Sequence, residues 1–308
     1  MLFRKVTIDD RTIIDGYMMK YGGGSCQHSF IAMFGMQGKY GDTFCEEDGV
    51  LYVLREGLSD DGVSAFLIPM GDSCVSDGGM KKAVEKIAGH AHDIGKKLVF
   101  NTLTERSMKR ITGLFPGRFG VKEARDSFEY MHSFETLAYL DGPKLARRRQ
   151  DVRSFERAYG DRTQIKIIDD SDMEELVNYQ VRWNDDFRKY CLEHGKKIID
   201  HEHVGIMKTF ARYKELGVSG IVIRIDGVIR GYAYGTVISD DVYDVLVEKG
   251  DKEIKDIYRP LNRELVRMCA EGHKYINREE DCGDPGLRAS KLSLMPEFFL
   301  KKYIVSEV

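Results

Sequence analysis

Gly220-Ile-Val-Ile-Arg-Ile-Asp-Gly-Val-Ile-Arg-Gly-Tyr-Ala-Tyr-Gly235 contains two apolar segments on either side of the dipeptide Asp226-Gly227. Asp-Gly between two apolar runs is the strongest short-range signal for a β-hairpin, because both positions of the tight turn require a positive φ. A second turn at Ser239-Asp-Asp241 leads into another apolar run at 242–248. The stretch therefore predicts an antiparallel meander of three strands in the second half of the chain.

The segments around this meander alternate between strand and helix patterns. They predict a strand at 165–168, helices after residue 171 and at 204–216, a helix at 254–268, a strand at 275–277, a helix from Pro285 and a last strand at 303–305. Ser171 and Glu174 form a capping-box pattern at the start of the first helix. In the same helix Tyr179, Trp183 and Phe187 lie four residues apart, which is typical of a face packed into the core.

The first half of the chain has a similar but weaker pattern. Strands are predicted at 50–54, 64–70 and 97–100, with an amphipathic helix at 81–95. We predict an α/β (α+β) fold with an N-terminal lobe at 1–145, a basic linker helix at 146–160 and a C-terminal lobe at 161–308. In the linker, Arg149, Arg153 and Arg157 lie on one helix face. They are candidates for binding phosphate groups of RNA or of a lipid headgroup, or they only face solvent.

Composition excludes few classes of function. The 308 residues carry a formal net charge of −3, so no overall positive field indicates a nucleic acid or membrane partner. No apolar run reaches the roughly 20 residues of a spanning helix, and no signal region precedes the first acidic residues, so a cytoplasmic protein is predicted. His201, Glu202 and His203 lie together without further ligand spacing, so neither a metal site nor a tightly bound cofactor is predicted.

The order of elements in the second half is strand, two helices, antiparallel meander, helix, strand, helix and strand. This order resembles a GNAT N-acyltransferase domain, with residues 226–235 at its central hairpin. The first half resembles a second copy. The resemblance implies a tandem GNAT protein, in which each lobe is a mixed central sheet flanked by helices.

A more specific resemblance lies further toward the C-terminus. Glu248-Lys-Gly250, Tyr258-Arg-Pro-Leu-Asn262-Arg-Glu264 and the run from Asn277 to Lys291 are similar to the signature of a bacterial family. That family is named after the C-terminal domain of phosphatidylglycerol lysyltransferase. The resemblance implies transfer of an aminoacyl group from aminoacyl-tRNA to a lipid or to a small-molecule or peptide acceptor.

Acyl transfer requires aligned reactants, a base for one proton and a partner for the oxyanion. We expect Glu279 or Asp281 to act as the base or to bind an α-amino group, with Tyr232 as a further catalytic hydroxyl. The predicted substrate-binding residues are Tyr234, Lys249, Asn262, Asn277, Arg278, Arg288 and Lys291. Alternatively, the polar run at 277–291 is a salt-bridged turn that holds the last helix to the sheet.

Two other functions fit the same fold. One is an acetyl-CoA-dependent N-acetyltransferase, which would hold the donor's pyrophosphate on a glycine-rich loop after the meander. The corresponding segment, 248–255, has one glycine and the acidic residues Asp251 and Glu253, which disfavours such a site. The other is a catalytically silent GNAT-fold module that binds a ligand.

Overall fold

The computed structural model describes residues 1–57, 65–196, 198 and 200–308. These residues form two compact units. Unit 1 comprises Met1–Glu129, Glu280–Pro285 and Phe299–Val308, and unit 2 comprises Tyr130–Glu279 and Gly286–Phe298. The division differs from the predicted lobes at 1–145 and 161–308. The basic linker helix belongs to unit 2, and two C-terminal segments belong to unit 1.

Within the described residues, strands and helices have the following bounds. The strands are β1 (Arg4–Lys5), β2 (Thr43–Glu47), β3 (Val50–Arg55), β4 (Ala65–Phe66), β5 (Val99–Thr104), β6 (Phe119–Glu123), β7 (Glu129–Ser133), β8 (Thr163–Ile167), β9 (Ser219–Ile225), β10 (Val228–Ser239), β11 (Val242–Gly250), β12 (Tyr275–Asn277), β13 (Phe298–Leu300) and β14 (Lys302–Glu307). The α-helices are α1 (Arg11–Tyr21), α2 (Phe30–Gly35), α3 (Gln37–Tyr40), α4 (Asp77–Asp93), α5 (Glu105–Leu114), α6 (Phe134–Tyr139), α7 (Ala146–Tyr159), α8 (Met173–Glu193), α9 (His201–Ala211), α10 (Tyr258–Cys269) and α11 (Pro285–Leu292). The predicted strand at 64–70 begins outside the described residues, and its described part contains β4.

The sheet of unit 1 has the strand order β1-β2-β3-β4-β5-β14-β6. Most neighbours are antiparallel, whereas β4 and β5 run parallel. The last strand of the chain, β14, pairs with β5 on one side and β6 on the other. The first sheet is therefore completed by residues nearly 200 positions downstream of β5, and not by the strand that follows β6.

The second sheet has the order β13-β7-β12-β11-β10-β9-β8. Its centre is the predicted meander, β9-β10-β11, and this prediction is confirmed. Asp226 and Gly227 have φ of 53° and 79°, as a two-residue hairpin turn requires. Here β11 and β12 are the parallel neighbours. Both units thus have the GNAT-like arrangement, and the predicted tandem GNAT fold is confirmed.

Each unit has an apolar core of its own. In unit 2, alternate residues of β9, namely Ile221, Ile223 and Ile225, belong to one buried cluster with Leu261 and Leu265 of α10. Burying an isoleucine or leucine side chain contributes about 1.5–3 kcal/mol. In unit 1, the buried face of α4 comprises Met80, Ala83, Val84, Ile87, Ala88 and Ala91. The amphipathic pattern at 81–95 predicted this face.

Candidate active site

In unit 2 the parallel strands β11 and β12 separate after a short ladder. Their pairing ends at Asp244 and Asn277, whereas β11 continues to Gly250. Beyond Asn277 the chain turns away, because the Arg278 amide donates to Tyr130 O on β7 and Glu279 has a φ of 54°. A gap therefore opens between the end of β11 and the residues after β12. We call this gap the unit 2 wedge.

Three polar side chains meet in the unit 2 wedge. Glu248 of β11 accepts hydrogen bonds from Arg278 Nη1 at 3.2 Å and from Arg278 Nη2 at 2.5 Å. Asn262 of α10 donates from Nδ2 to Glu248 Oε1 at 3.0 Å. The glutamate and arginine side chains are only 15% and 11% exposed, so this two-pronged ion pair is largely shielded from water.

Two further atoms of this trio are buried without a hydrogen-bond partner among the described residues. They are Asn262 Oδ1, an acceptor, and Arg278 Nε, a donor. Buried polar atoms are nearly always paired in folded proteins, because leaving one unpaired costs about 1–3 kcal/mol. An unmatched donor and an unmatched acceptor beside the same carboxylate indicate a place for a polar ligand.

A second cluster lies at the same end of β11, around Lys249. Its Nζ is 2.7 Å from Glu202 Oε2 of α9 and 4.1 Å from the centre of the Trp183 ring. Tyr258 connects the two clusters. Burial raises the pKa of its hydroxyl, and the nearby carboxylates of Glu248 and Glu202 raise it further.

The two predicted tyrosines of β10 are buried beside this second cluster. Tyr232 donates to Gln180 Oε1 at 2.6 Å, and burial raises its pKa well above the usual range. It therefore stays protonated at neutral pH, which favours a positioning role over that of a base. Burial also raises the pKa of Tyr234, and the carboxylates of Glu202 and Glu279 add to the effect. Glu279 is thus within electrostatic reach of the β10 face.

The residues after β12 are held by backbone contacts. Asn277 is fully buried, and its Oδ1 accepts from the Glu279 amide at 2.8 Å, which fixes the turn. Lys291 of α11 donates to Arg278 O. Arg288 is half-buried on the same helix. The first half of β10 and the C-terminal ends of β11 and β12 are therefore surrounded by the predicted residues Tyr232, Tyr234, Lys249, Asn262, Asn277, Arg278, Glu279 and Lys291.

Asp281 has a different environment, because residues 280–285 belong to unit 1. The side chain is fully buried and accepts from Arg125 Nη1 at 3.1 Å and from the Gly283 amide at 2.9 Å. The contact with the Gly283 amide stabilises the turn that follows Asp281.

The basic linker forms α7, and its three arginines differ in environment. Arg149 is half-buried, and its Nη1 donates to the carbonyl oxygens of Leu140 and Gly142, just after α6. Arg153 and Arg157 are exposed. Arg149 thus has a structural task, and the other two are accessible to a phosphate.

A cavity of about 420 Å³ adjoins the Lys249 cluster. Trp183 and Phe187 of α8 contribute to its wall, with ring centres 5.4 Å apart, and the Trp183 indole donates to Gly250 O. The lining has three basic residues, Arg182, Arg230 and Lys252, and three acidic ones, Asp186, Asp251 and Glu253, so its formal charges balance. Of the three aromatic residues on this face of α8, Tyr179 is buried, at 6% exposed, whereas Trp183 and Phe187 are half-buried and form the cavity wall.

Sequence reasoning did not select Glu248, Glu202 or Gln180 as site residues. Glu248 was recognised only as part of a family signature, although a charged residue near the end of a predicted buried strand is itself a signal. The sequence analysis considered Glu202 only as a metal ligand beside His201 and His203. In the structure it pairs with Lys249, and His203 Nδ1 lies 3.2 Å from Gln180 Nε2. In the described part of the chain, no three histidine, cysteine or acidic side chains cluster as metal ligands.

Comparison with known proteins gives a consistent result. Residues 21–306 match the family model described as phosphatidylglycerol lysyltransferase, C-terminal. A conserved protein of unknown function from Bacteroides thetaiotaomicron is 25% identical, with a TM-score of 0.90 and 99% of each chain covered. The C-terminal domain of a putative lysylphosphatidylglycerol synthetase from Agrobacterium fabrum is 13% identical, with a TM-score of 0.66 over 97% of this chain and 91% of that one.

Two further relatives complete the comparison. L-PGS from Bacillus licheniformis is 14% identical, with a TM-score of 0.65, covering 96% of this chain and 91% of that chain. An uncharacterized protein of Mycoplasmoides gallisepticum is 21% identical over 182 residues, which span 59% of this chain and only 57% of that protein. Across the described ranges of the present chain, no helix is long and apolar enough to cross a membrane.

Proposed function

The chain belongs to the phosphatidylglycerol lysyltransferase C-terminal family, and on this premise we propose that it transfers an aminoacyl group from aminoacyl-tRNA to a hydroxyl acceptor. Family and fold together indicate a GNAT-like acyltransferase related to lysylphosphatidylglycerol synthases. The choice of donor depends on the unit 2 wedge. The acceptor is proposed to be a lipid or a small molecule with a free hydroxyl.

The observation that carries the proposal is the unmatched pair of atoms beside Glu248. An α-aminoacyl ester has a carbonyl oxygen, which accepts hydrogen bonds, next to an amino group, which donates them. Arg278 Nε can donate to that carbonyl, and Asn262 Oδ1 can accept from that amino group. An acetyl group has the carbonyl but no donor, so it would leave the asparagine oxygen unpaired.

The residues of the site can be assigned to the steps of the reaction. The acceptor hydroxyl oxygen attacks the ester carbonyl carbon, and its proton passes to a base, which we assign to Glu279. The C–O bond to the terminal ribose of the tRNA breaks, and the leaving oxygen takes up a proton. Arg278, as a fixed cation in a shielded site, stabilises the negative charge that develops on the carbonyl oxygen.

The loop after β11 supports this choice over acetyl-CoA. A pyrophosphate would need free backbone amides there, but the loop uses its own. The Asp251 side chain accepts from the Glu253 amide at 3.1 Å, and Asp251 O accepts from the Ile254 amide. The Asp251 amide donates to Arg230 O. Few backbone amides of this loop are left to bind a pyrophosphate, and the side chains of Asp251 and Glu253 would also repel it.

Two surfaces of unit 2 suit the nucleic-acid part of the donor. The aromatic wall of Trp183 and Phe187 offers a stacking face for an unpaired terminal base. The exposed Arg153 and Arg157 of α7 offer further contacts to the phosphate backbone. Binding of this kind weakens as salt concentration rises.

The test compares donors under one set of conditions. The purified protein is incubated with tRNA charged with labelled amino acids, or with labelled acetyl-CoA, together with phosphatidylglycerol vesicles or a pool of small hydroxyl compounds. We expect the label to move from charged tRNA to an acceptor, with a requirement for the aminoacyl ester. Transfer from acetyl-CoA with no transfer from charged tRNA would refute the proposal.

The Glu248→Gln variant tests the site itself. The exchange keeps the shape and removes the charge that holds Arg278, so we expect transfer to fall by at least about 100-fold, an effect typical of losing one preorganised electrostatic contact. The matched control is Glu271→Gln, an exposed glutamate of unit 2, which should keep wild-type activity. Equal activities in the two variants would exclude the wedge as the reaction centre.

A further inference from the structure

A fully buried histidine, His132 of β7, lies on the face of the second sheet that packs against α10. It is paired directly with Ile276 of β12 in antiparallel register, so the two side chains share a face, and Ile276 belongs to the buried cluster that α10 covers. Arg278 follows two residues later, and its amide continues the ladder by donating to Tyr130 O. Its side chain therefore lies on the same face as that of His132.

His132 has hydrogen-bonding capacity that its surroundings do not use. Neither Nδ1 nor Nε2 has a hydrogen-bond partner among the described residues. The nearby backbone of Leu294 and Met295 favours the charged form of the ring. Burial outweighs this effect, together with the charges of Arg278 and Lys291, and lowers the pKa of His132 to about 3. The ring is thus neutral at pH 7, and a nearby negative charge would reverse that balance.

A second unmatched donor comes from α7. Arg148 is half-buried, and its Nη2 donates to Ser293 Oγ, just after α11. Its Nη1 is buried and has no hydrogen-bond partner in the described part of unit 2. Arg148 and His132 thus both lie beside residues 293–295, and the charge of Arg278 disfavours the charged form of each.

The carboxylates of neighbouring elements already have cationic partners. Glu248 is held in the ion pair with Arg278, and Asp151 of α7 accepts from Arg259 Nε at 3.2 Å. Arg148 has no ion pair within the described ranges of the chain, although Asp151 partly offsets the effect of burial on its pKa. An unmatched atom on a buried guanidinium costs more than one on a neutral group, so this position favours an anion.

From this combination we infer that unit 2 binds a free inorganic oxyanion, of the phosphate or sulfate type, between Arg148 Nη1 and the ring of His132. The anion accepts from the guanidinium, and its charge offsets the neighbouring cations, so the histidine takes up a proton from solvent on binding. Both ring nitrogens then donate, one to the anion and one to the nearby backbone. The enclosure of both groups favours a free ion over an anionic group on a larger compound. The inference does not depend on the reaction proposed for the unit 2 wedge.

The test is calorimetric titration of the intact chain with sodium sulfate in a gluconate background. Sulfate stays doubly charged between pH 5.5 and pH 8, so any pH dependence belongs to the protein. Because the bound anion raises the pKa of His132, affinity should rise as the pH falls. We expect a Kd below about 1 mM at pH 5.5 and binding at least about fivefold weaker at pH 8.

Proton uptake is measured directly by repeating the titration in two buffers with different enthalpies of ionisation. We expect net uptake of protons by wild type and none by His132→Gln. Because His132 is buried, the wild-type result stands as a test even where that variant does not fold. Absence of saturable sulfate binding, or binding without proton uptake by wild type, would overturn the inference.

Two arginine variants locate the site. Arg148→Gln should weaken sulfate binding by at least about tenfold, since a charge-assisted hydrogen bond is lost. The matched control is Arg147→Gln, the exposed neighbour on the same helix, which should stay within about twofold. Equal affinities of the two variants would contradict the assignment.

A last comparison tests the class of ligand. Inorganic phosphate and phenyl phosphate are both mainly doubly charged at pH 8, and they differ in size. The free ion should bind at least about fivefold more tightly, because the ester would have to displace packed side chains. Tighter binding of phenyl phosphate would overturn the assignment to a free ion.

Discussion

Replacing Lys302 with Met tests how the C-terminal strand holds unit 1 together. Its Nζ lies 2.5 Å from Glu129 Oε1 and 2.5 Å from Ser25 Oγ, and both members of the ion pair are fully buried. Glu129 also accepts from the Ser25 hydroxyl at 2.8 Å and from the Cys26 amide at 3.0 Å. The methionine would fill nearly the same space, so the main effect is a buried carboxylate without its cation.

Removing one partner of a buried ion pair costs about 3–5 kcal/mol, because the remaining charge has lost its solvation and its partner. That is a large share of the roughly 5–15 kcal/mol by which a folded protein is stable. We therefore expect the urea midpoint, followed by far-ultraviolet circular dichroism at pH 7, to fall by the equivalent of about 3 kcal/mol or more.

A second substitution separates charge from packing. Glu129→Gln added to Lys302→Met removes the stranded charge and keeps an acceptor for Ser25 and Cys26. The double variant should therefore be more stable than Lys302→Met alone. Lys301→Met, at the exposed neighbouring lysine, should change stability by no more than about 0.5 kcal/mol. A loss below about 1 kcal/mol for Lys302→Met, or no recovery in the double variant, would refute the reasoning.

Two other predictions concern titration and the base. Burial lowers the pKa of His28 to about 4 and that of His132 to about 3, so the native state binds fewer protons than the unfolded state below pH 6.5. Stability should be complete above pH 6.5 and fall as the pH drops toward 4, by about 2 kcal/mol for each histidine between pH 7 and pH 5. Urea midpoints at the two pH values check this, and an unchanged pH dependence in His28→Gln would contradict it. Glu279→Gln should abolish transfer in the charged-tRNA assay and leave melting nearly unchanged, whereas a large loss of stability would instead indicate a structural role for Glu279.

Local sequence patterns predicted most elements of unit 2 because the signals there are local. The Asp226-Gly227 turn, the three strands of the meander and β12 follow from side chains within a few residues of each other. The predicted capping box, Ser171 with Glu174, starts two residues too late. The cap is Asp169, whose carboxylate accepts from the Ser171 amide, while Asp172 accepts from the Asp169 amide. A short 3₁₀ helix at Asp170–Asp172 precedes α8, and the apolar spacing within α8 does not indicate it.

The neighbours of a strand in its sheet are not set by local sequence, so the sequence did not predict which sheet the last strand joins. The run at 303–305 was correctly predicted as a strand, but its place was assumed to be in the C-terminal lobe. It lies instead between β5 and β6 in unit 1. Apolar alternation shows that a strand has a buried face and gives no information about which sheet supplies its neighbours. The buried Lys302 is the one local hint, because a lysine in a core strand requires a carboxylate elsewhere.

The site shows the same limit. A family signature can direct attention to 277–291, but the divergence of β11 and β12 decides which of these side chains meet Glu248. Arg278 reaches it, and Asp281 pairs with Arg125. In unit 1 the parallel strands β4 and β5 also separate, and a cavity of about 920 Å³ beside them has the neutral His28 in its lining, whereas in unit 2 an ion pair occupies the gap. One fold therefore offers two different environments where its parallel strands separate. The shielded ion pair of unit 2 suits a short polar ester group, and the unit 1 cavity admits a larger ligand.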